Sequence, residues 1–142
     1  MKAKILSIIL LLFSMSVVGV ENAQTSTFRV HLHRFFNDAE YQKSHISFPY
    51  TFIHPESEDE EAILISEEIT SREWQFMKGP DNFCCSENCF DLIIYDSFEK
   101  KHEDSGERVL SFEGVENGIY ELLYFKLINN EWYLIKHESL SN

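Results

Sequence analysis

The sequence predicts one α+β domain, a curved antiparallel sheet wrapped around a long N-terminal helix into a cone. Three observations carry this expectation. Apolar residues recur at helical spacing after Thr27, the spacing shortens to the strand period at His45, and two apolar strands joined by Asn129-Asn130 close the chain. The 142 residues leave room for a single domain, and 44% apolar with 14% aromatic content excludes a disordered chain. With 24 acidic against 12 basic side chains the formal net charge is −12, which argues against nucleic acid and against an anionic membrane surface as partners.

The first element is an export signal rather than part of the fold. Lys2 and Lys4 give a basic start, Ile5 to Val20 carry no charge, and Glu21 ends the run. That pattern reads as a secretory signal peptide over 1–23, too short to span a bilayer and without a basic stop-transfer cluster behind it. Cleavage after Gly19 or after Ala23 fits the small residues there. Removing the first 23 of the 142 residues leaves 119, with two lysines and one glutamate fewer and a net charge of −13. The expected location is periplasmic or extracellular, with no stable membrane anchor after cleavage, and 24–142 form the single domain.

In that domain a helix is predicted from Thr27 to about Lys43. Phe28, Leu32, Phe35, Phe36 and Ala39 fall on one stripe, and Thr25, Ser26 and Thr27 are candidate N-caps. Ile46, Phe48, Tyr50 and Phe52 then alternate with polar neighbours as a strand, which Pro49 restricts to an edge or a bulge. Acidic residues from Glu56 to Glu61 make a solvated loop, and 62–66 offer a short strand. Thr70 with Glu73 has the form of a capping box opening a short helix through Trp74, Phe76 and Met77, which Gly79-Pro80-Asp81 stops. Phe90 to Tyr95 reads as a buried strand; after a turn at Ser105-Gly106, Arg108 to Glu113 alternates as a further strand, with Val109 and Leu110 leaving its face ambiguous.

The C-terminal hairpin permits a register. Ile128 should face Glu131, Leu127 should face Trp132, Phe125 should face Leu134, and Leu123 should face Lys136. The apolar face, Leu123, Phe125, Leu127, Trp132 and Leu134, belongs on the helix. The other face, with Leu122, Tyr124, Lys126, Tyr133, Ile135 and His137, is mixed.

This order of elements, together with the ending LLYFKLINNEWYLIKHES over Leu122–Ser139, resembles the nuclear transport factor 2-like (cystatin-like) superfamily. The segments Phe36-Asn37-Asp38-x-x-Tyr41-Gln42, His45-Ile46-Ser47-Phe48-Pro49 and Glu73-Trp74, with the same hairpin, are similar to a family of small exported Bacteroidetes proteins of unknown function, domain of unknown function family 4348. The resemblance implies the cone fold. It transfers no catalytic residue.

Motifs with chemistry are few. Cys84, Cys85 and Cys89 lie close together, and a local disulfide from Cys84 or Cys85 to Cys89 is one reading beside free thiols; zinc would need a fourth ligand. His31 and His33 sit two apart on a helix and point to different sides, and the acidic loop lacks a calcium-loop pattern, so no metal is expected. No dinucleotide, phosphate-binding or nucleophile-elbow motif appears, so no cofactor is expected either. Asp91, Tyr95, His45 and His137 are available for acid–base chemistry but nothing in their spacing singles them out. Trp74, Tyr124 and Tyr133 are the candidate binding aromatics. The expected function is therefore a non-enzymatic module for an unknown small molecule or protein, with homodimerisation through an open sheet face as one mode. The alternative is an isomerase- or hydratase-like acid–base enzyme in the cone mouth.

Overall fold

The aromatic stripe of the first helix and the inner face of the hairpin bury each other, and the rest of the chain is arranged around that contact. The computed structural model describes residues 23–56, 63–79, 90–101, 103, 105–114 and 118–140. In order these form α1 (Ala23–Phe35), α2 (Ala39–Ser44), β1 (Ile46–Pro55), β2 (Leu64–Ile69), β3 (Phe90–Tyr95), β4 (Glu107–Gly114), β5 (Tyr120–Ile128) and β6 (Glu131–Ser139). The six strands make one curved sheet in the order β2-β1-β6-β5-β4-β3. All neighbours are antiparallel except β1 and β6, so the sheet is mixed rather than wholly antiparallel. The fold class is α+β, as expected. Among the described residues no helix is long and apolar enough to cross a membrane.

The expected single helix to Lys43 is two helices. α1 begins at Ala23, so Thr25, Ser26 and Thr27 lie inside it and not at its cap. It ends at Phe35 because polar groups compete for the backbone there. Asn37 Nδ2 donates to the His33 carbonyl at 2.6 Å, and Asp38 accepts from Tyr41 N at 2.9 Å as the N-cap of α2. Ala39, placed on the buried stripe by a continuous helix, is exposed instead.

Phe28, Leu32 and Phe35 of α1 meet Ile46 and Tyr50 of β1, Leu110 and Phe112 of β4, Leu123 and Phe125 of β5, and Trp132 and Leu134 of β6 in one core. Phe125 is wholly buried. Its ring lies 5.3 Å from that of Phe28 and 5.2 Å from that of Phe35, both edge to face. Trp132 meets Phe28 at 4.9 Å in the same geometry. Offset and edge contacts of this kind add ~0.5–1.5 kcal/mol each beyond the area they bury.

The turn is as expected. Asn129 and Asn130 have φ of 51° and 66°, the double left-handed conformation of a two-residue hairpin loop. The register holds from Ile128–Glu131 to Phe125–Leu134 and then slips between Tyr124 and Phe125. Leu123 therefore faces His137 instead of Lys136, and Tyr124 faces Lys136. An extra residue in β6 turns every later side chain to the opposite face. His137 moves inside by this slip.

Other elements depart from the expectation for local reasons. β1 is interior, not an edge; its register with β6 is irregular between Ile46 and Thr51, which leaves Pro49 in the bulge where no N–H is needed. The Phe48–Pro49 peptide is cis. β2 runs to Ile69, three residues beyond the expected end at Ser66. The Thr70–Glu73 cap forms, with Glu73 Oε2 accepting from Thr70 N at 3.0 Å, but it opens a single turn and no helix follows. Met77 explains this: its N–H and C=O both bond the Gln42 side chain, at 2.8 and 2.7 Å, and are lost to any helical ladder. β3 is an edge strand with Asp91 and Leu92 exposed, not a buried one. β4 is buried on both faces over 108–112, which is why its alternation was ambiguous. The signal segment, the acidic loop after Glu56, and Cys84, Cys85 and Cys89 lie outside the described residues.

Replacing Phe125 by Ala should lower unfolding free energy by roughly 3–5 kcal/mol, the range for a buried aromatic. Leu92→Ala on the exposed edge should cost under about 1 kcal/mol. Asn130→Val should cost about 1–2 kcal/mol because a β-branched residue resists positive φ. Urea titration monitored by tryptophan fluorescence reads all three.

Candidate functional site

β5 and β6 deliver three polar side chains to the inner face beyond the aromatic core. Because side chains alternate, Glu121 shares a face with Leu123 and Phe125, and the slip in β6 adds His137 and Ser139 opposite them. His137 Nε2 lies 2.6 Å from Glu121 Oε2, and Ser139 Oγ donates to Glu121 Oε1 at 2.5 Å. A carboxylate only accepts, so Nε2 of His137 carries the proton of this contact. Phe52 of β1 packs on the ring, with centroids 4.9 Å apart.

Glu121 and His137 stand at the wall of an open cleft of about 340 Å³ whose other walls are mostly apolar: Phe36, Met77, Phe112, Ile119 and Leu123, with Lys78 beside them. A second open cleft of about 540 Å³ lies on the far side of Phe36 and Phe112 and includes Leu32, His33, Asn37, Phe76 and Leu92. Both clefts share Phe36, Lys78 and Phe112. The segment from Phe76 to Gly79 contributes to a wall of each, and the buried Gln42 fixes it at Met77. Gln42 Nε2 also donates to the Phe35 carbonyl at 2.9 Å, tying this wall to the end of α1. Gly79 closes on Phe36 so tightly that a Cβ there would stand 2.9 Å from the Phe36 Cβ.

The aromatics singled out by sequence do not come together. Trp74 is half-buried beside the main core, with Lys43 Nζ 5.2 Å from its ring. Tyr124 is buried on the outer face of the sheet; its hydroxyl donates to Glu138 Oε2 at 3.0 Å and Lys136 Nζ lies 3.7 Å over its ring. Burial, followed by the charge and hydrogen bond of Glu138, pushes the Tyr124 hydroxyl well above its ordinary pKa. Tyr133 stacks on His45 at 5.5 Å and donates to Glu131 Oε2 at 3.0 Å. Cys85 and Cys89 fall outside the described residues. Of the acid–base candidates, Asp91 is exposed on the edge strand, Tyr95 is half-buried on the outer face, and His45 lies between Tyr41 and Tyr133. Only His137 enters a cleft. Its partner Glu121 escaped the sequence reading, although its parity with Leu123 already placed it on the inner face. Among the described residues no three His, Cys, Asp or Glu side chains converge to hold a metal.

His31 is another polar group turned inward. It is 6% exposed, its ring touches Phe28, Phe35 and Phe125, and Nδ1 lies 3.1 Å from the Tyr41 hydroxyl. His33, two residues on, is exposed, so the pair diverges as helical spacing requires. Burial, and then the neighbouring His45, lowers the His31 pKa from 6.5 to about 3.

A curved sheet folded over an N-terminal helical segment, open at one end, is the nuclear transport factor 2-like class of fold. The chain belongs to the family described as Domain of unknown function (DUF4348), which matches residues 4–139. A nuclear transport factor 2-like protein from Bacteroides fragilis superposes with a TM-score of 0.53 at 16% identity, covering 79% of this chain and 46% of that one. The chain thus spans about half the length of that structure. A second nuclear transport factor 2-like protein, from Cytophaga hutchinsonii, gives a TM-score of 0.46 at 16% identity, covering 84% of this chain and 98% of the other. No curated protein matches the sequence significantly.

The buried imidazole predicts a pH dependence. Below pH 6.5 the unfolded chain takes up a proton on His31 that the folded chain refuses down to about pH 3. Stability contributed by neutral His31 is therefore complete above that upper pH and falls as the solution is acidified, by up to about 1.4 kcal/mol per pH unit. His31→Gln should flatten the difference in unfolding free energy between mildly acidic and neutral solution, as urea titrations at matched ionic strength would show.

Proposed function

We propose that this protein is an exported, non-enzymatic module that binds a small amphipathic ligand in the mouth of the cone. The observation that carries the reading is the cleft of about 340 Å³ with largely apolar walls and a polar corner at Glu121 and His137, where Ser139 bonds the same carboxylate. Small-molecule sites have this composition: apolar surface supplies the burial, and a few fixed polar groups set orientation. Glu121 has both oxygens engaged by His137 and Ser139, so a ligand group would meet the imidazole rather than a bare carboxylate. The charge-free run from Ile5 to Val20 behind Lys2 and Lys4 supports export, with cleavage after Ala23.

The Glu121–His137 pair also favours a second reading, acid–base catalysis of the isomerase or hydratase type. A carboxylate that fixes an imidazole tautomer at the edge of an apolar cleft is the arrangement a general base requires. The two readings differ in outcome, since a binding module returns its ligand unchanged.

Phenylnaphthylamine, a neutral dye that brightens in apolar surroundings, should bind the protein saturably with one equivalent. Ile119→Glu, which sets a carboxylate at the cleft wall, should weaken that binding by at least about tenfold, near 1.4 kcal/mol. Dye binding that does not saturate, or that ignores Ile119→Glu, would remove the basis of this proposal. The intact mass of protein recovered from the exporting cell's exterior or periplasm should equal that of residues 24–142; a retained N-terminus would overturn the export reading.

A further inference from the structure

The larger of the two clefts, about 540 Å³, takes no part in the function proposed above, and its chemistry differs from that of the smaller one. Leu32 of α1, Leu92 of the edge strand β3, and Leu110 and Phe112 of β4 supply apolar walls. The polar part of the lining is His33, Asn37 and Lys78, with no acidic side chain among the described residues. In a chain with 24 acidic and 12 basic groups, that lining departs from the composition around it. The smaller cleft does not, since the Glu121 carboxylate stands in its wall.

Lys78 belongs to both clefts and leaves the backbone from a fixed point. On one side the Met77 N–H donates to Gln42 Oε1 at 2.8 Å and the Met77 carbonyl accepts from Gln42 Nε2 at 2.7 Å. On the other, Gly79 lies so close to Phe36 that a side chain there would collide with it. The Lys78 ammonium has no hydrogen bond or ion pair among the described residues. Other lysines are engaged: Lys43 lies over the Trp74 ring, Lys100 donates to the Tyr120 hydroxyl, and Lys101 and Lys136 pair with Glu99 and Glu138. Lys126 also lacks such a partner there, but it is exposed and lines neither cleft. Asn37 spends one amide hydrogen on the His33 carbonyl, at 2.6 Å, and keeps the other for an acceptor.

We propose that the larger cleft is a binding site for an amphipathic monocarboxylate, in its simplest form a medium-chain fatty acid, with the alkyl tail on Leu32, Leu92 and Leu110 and the carboxylate on Lys78. Charge complementarity selects the head group. One ammonium matches one negative charge, whereas a phosphate monoester would bring about −1.5 to −2 to a chain that already carries −12. Screening over about 8 Å at physiological ionic strength weakens that long-range repulsion more than it weakens a direct contact with Lys78. Glu121 disfavours the same head group in the smaller cleft, so the two clefts take different ligands.

Isothermal titration calorimetry of the exported protein with sodium decanoate, below its micellar concentration, tests this. Decanoate should bind saturably with one equivalent. Decanol, which has the tail without the charge, and octanoate, which is two methylenes shorter, should each bind at least about tenfold more weakly. Lys78→Gln should weaken decanoate binding at least about tenfold and leave decanol unchanged, while Lys78→Arg should retain most of the affinity. Leu92→Glu, at an exposed edge-strand position, should abolish decanoate binding and spare phenylnaphthylamine, and Ile119→Glu should do the reverse. Far-ultraviolet circular dichroism verifies that each variant is folded. No saturable decanoate binding, equal affinity for decanol or octanoate, or a folded Lys78→Gln variant that binds as the wild type does would overturn the inference. Decanoate binding lost in Ile119→Glu and kept in Leu92→Glu would place the anion in the smaller cleft and overturn it as well.

Discussion

The position of one ring governs this molecule. Phe125 sits where Phe28, His31 and Phe35 of α1 converge, and it joins that helix to the middle of the sheet. Everything that curves does so around that contact. β1 reaches across to β6 in parallel because α2 returns the chain from the end of α1 to the near side of the hairpin. The helical break at Phe36 serves the same geometry: the chain leaves the helix axis, and the Phe36 ring drops between the two clefts instead of extending the buried stripe.

A single irregularity gives this packing its candidate site. If the hairpin had kept its register to the end, Lys136 would point at Leu123 and His137 would lie outside. The slip between Tyr124 and Phe125 exchanges them, so the imidazole meets Glu121 on the inner face and the ammonium lies on the Tyr124 ring on the outer face. Each side chain gains a partner suited to it. The bulge thereby satisfies two faces of the sheet at once, which gives it a structural reason.

Gln42 links these parts. Its one amide group holds the end of α1 through Phe35 and the cleft wall through Met77. A buried side-chain amide with three backbone partners is fully committed, and removing it would leave orphaned groups at two elements. The wall of the candidate site is thus fixed by the same contacts that end the first helix.

Periodicity by itself determined the inner face of the hairpin, its Asn129-Asn130 turn, the strand character of β1 and the aromatic stripe of α1. Those features follow from local spacing and from the backbone freedom of particular residues, and spacing is written in the chain. Tertiary structure decided the break after Phe35, the single turn in place of a helix at Trp74, the edge position of β3, and the approach of His137 to Glu121. Each of these depends on which distant group claims a backbone amide or a face: Asp38 against the helix, Gln42 against the Met77 ladder, an extra residue in β6 against strict alternation. Competition of that kind between residues far apart has no signature in a period of two or of 3.6.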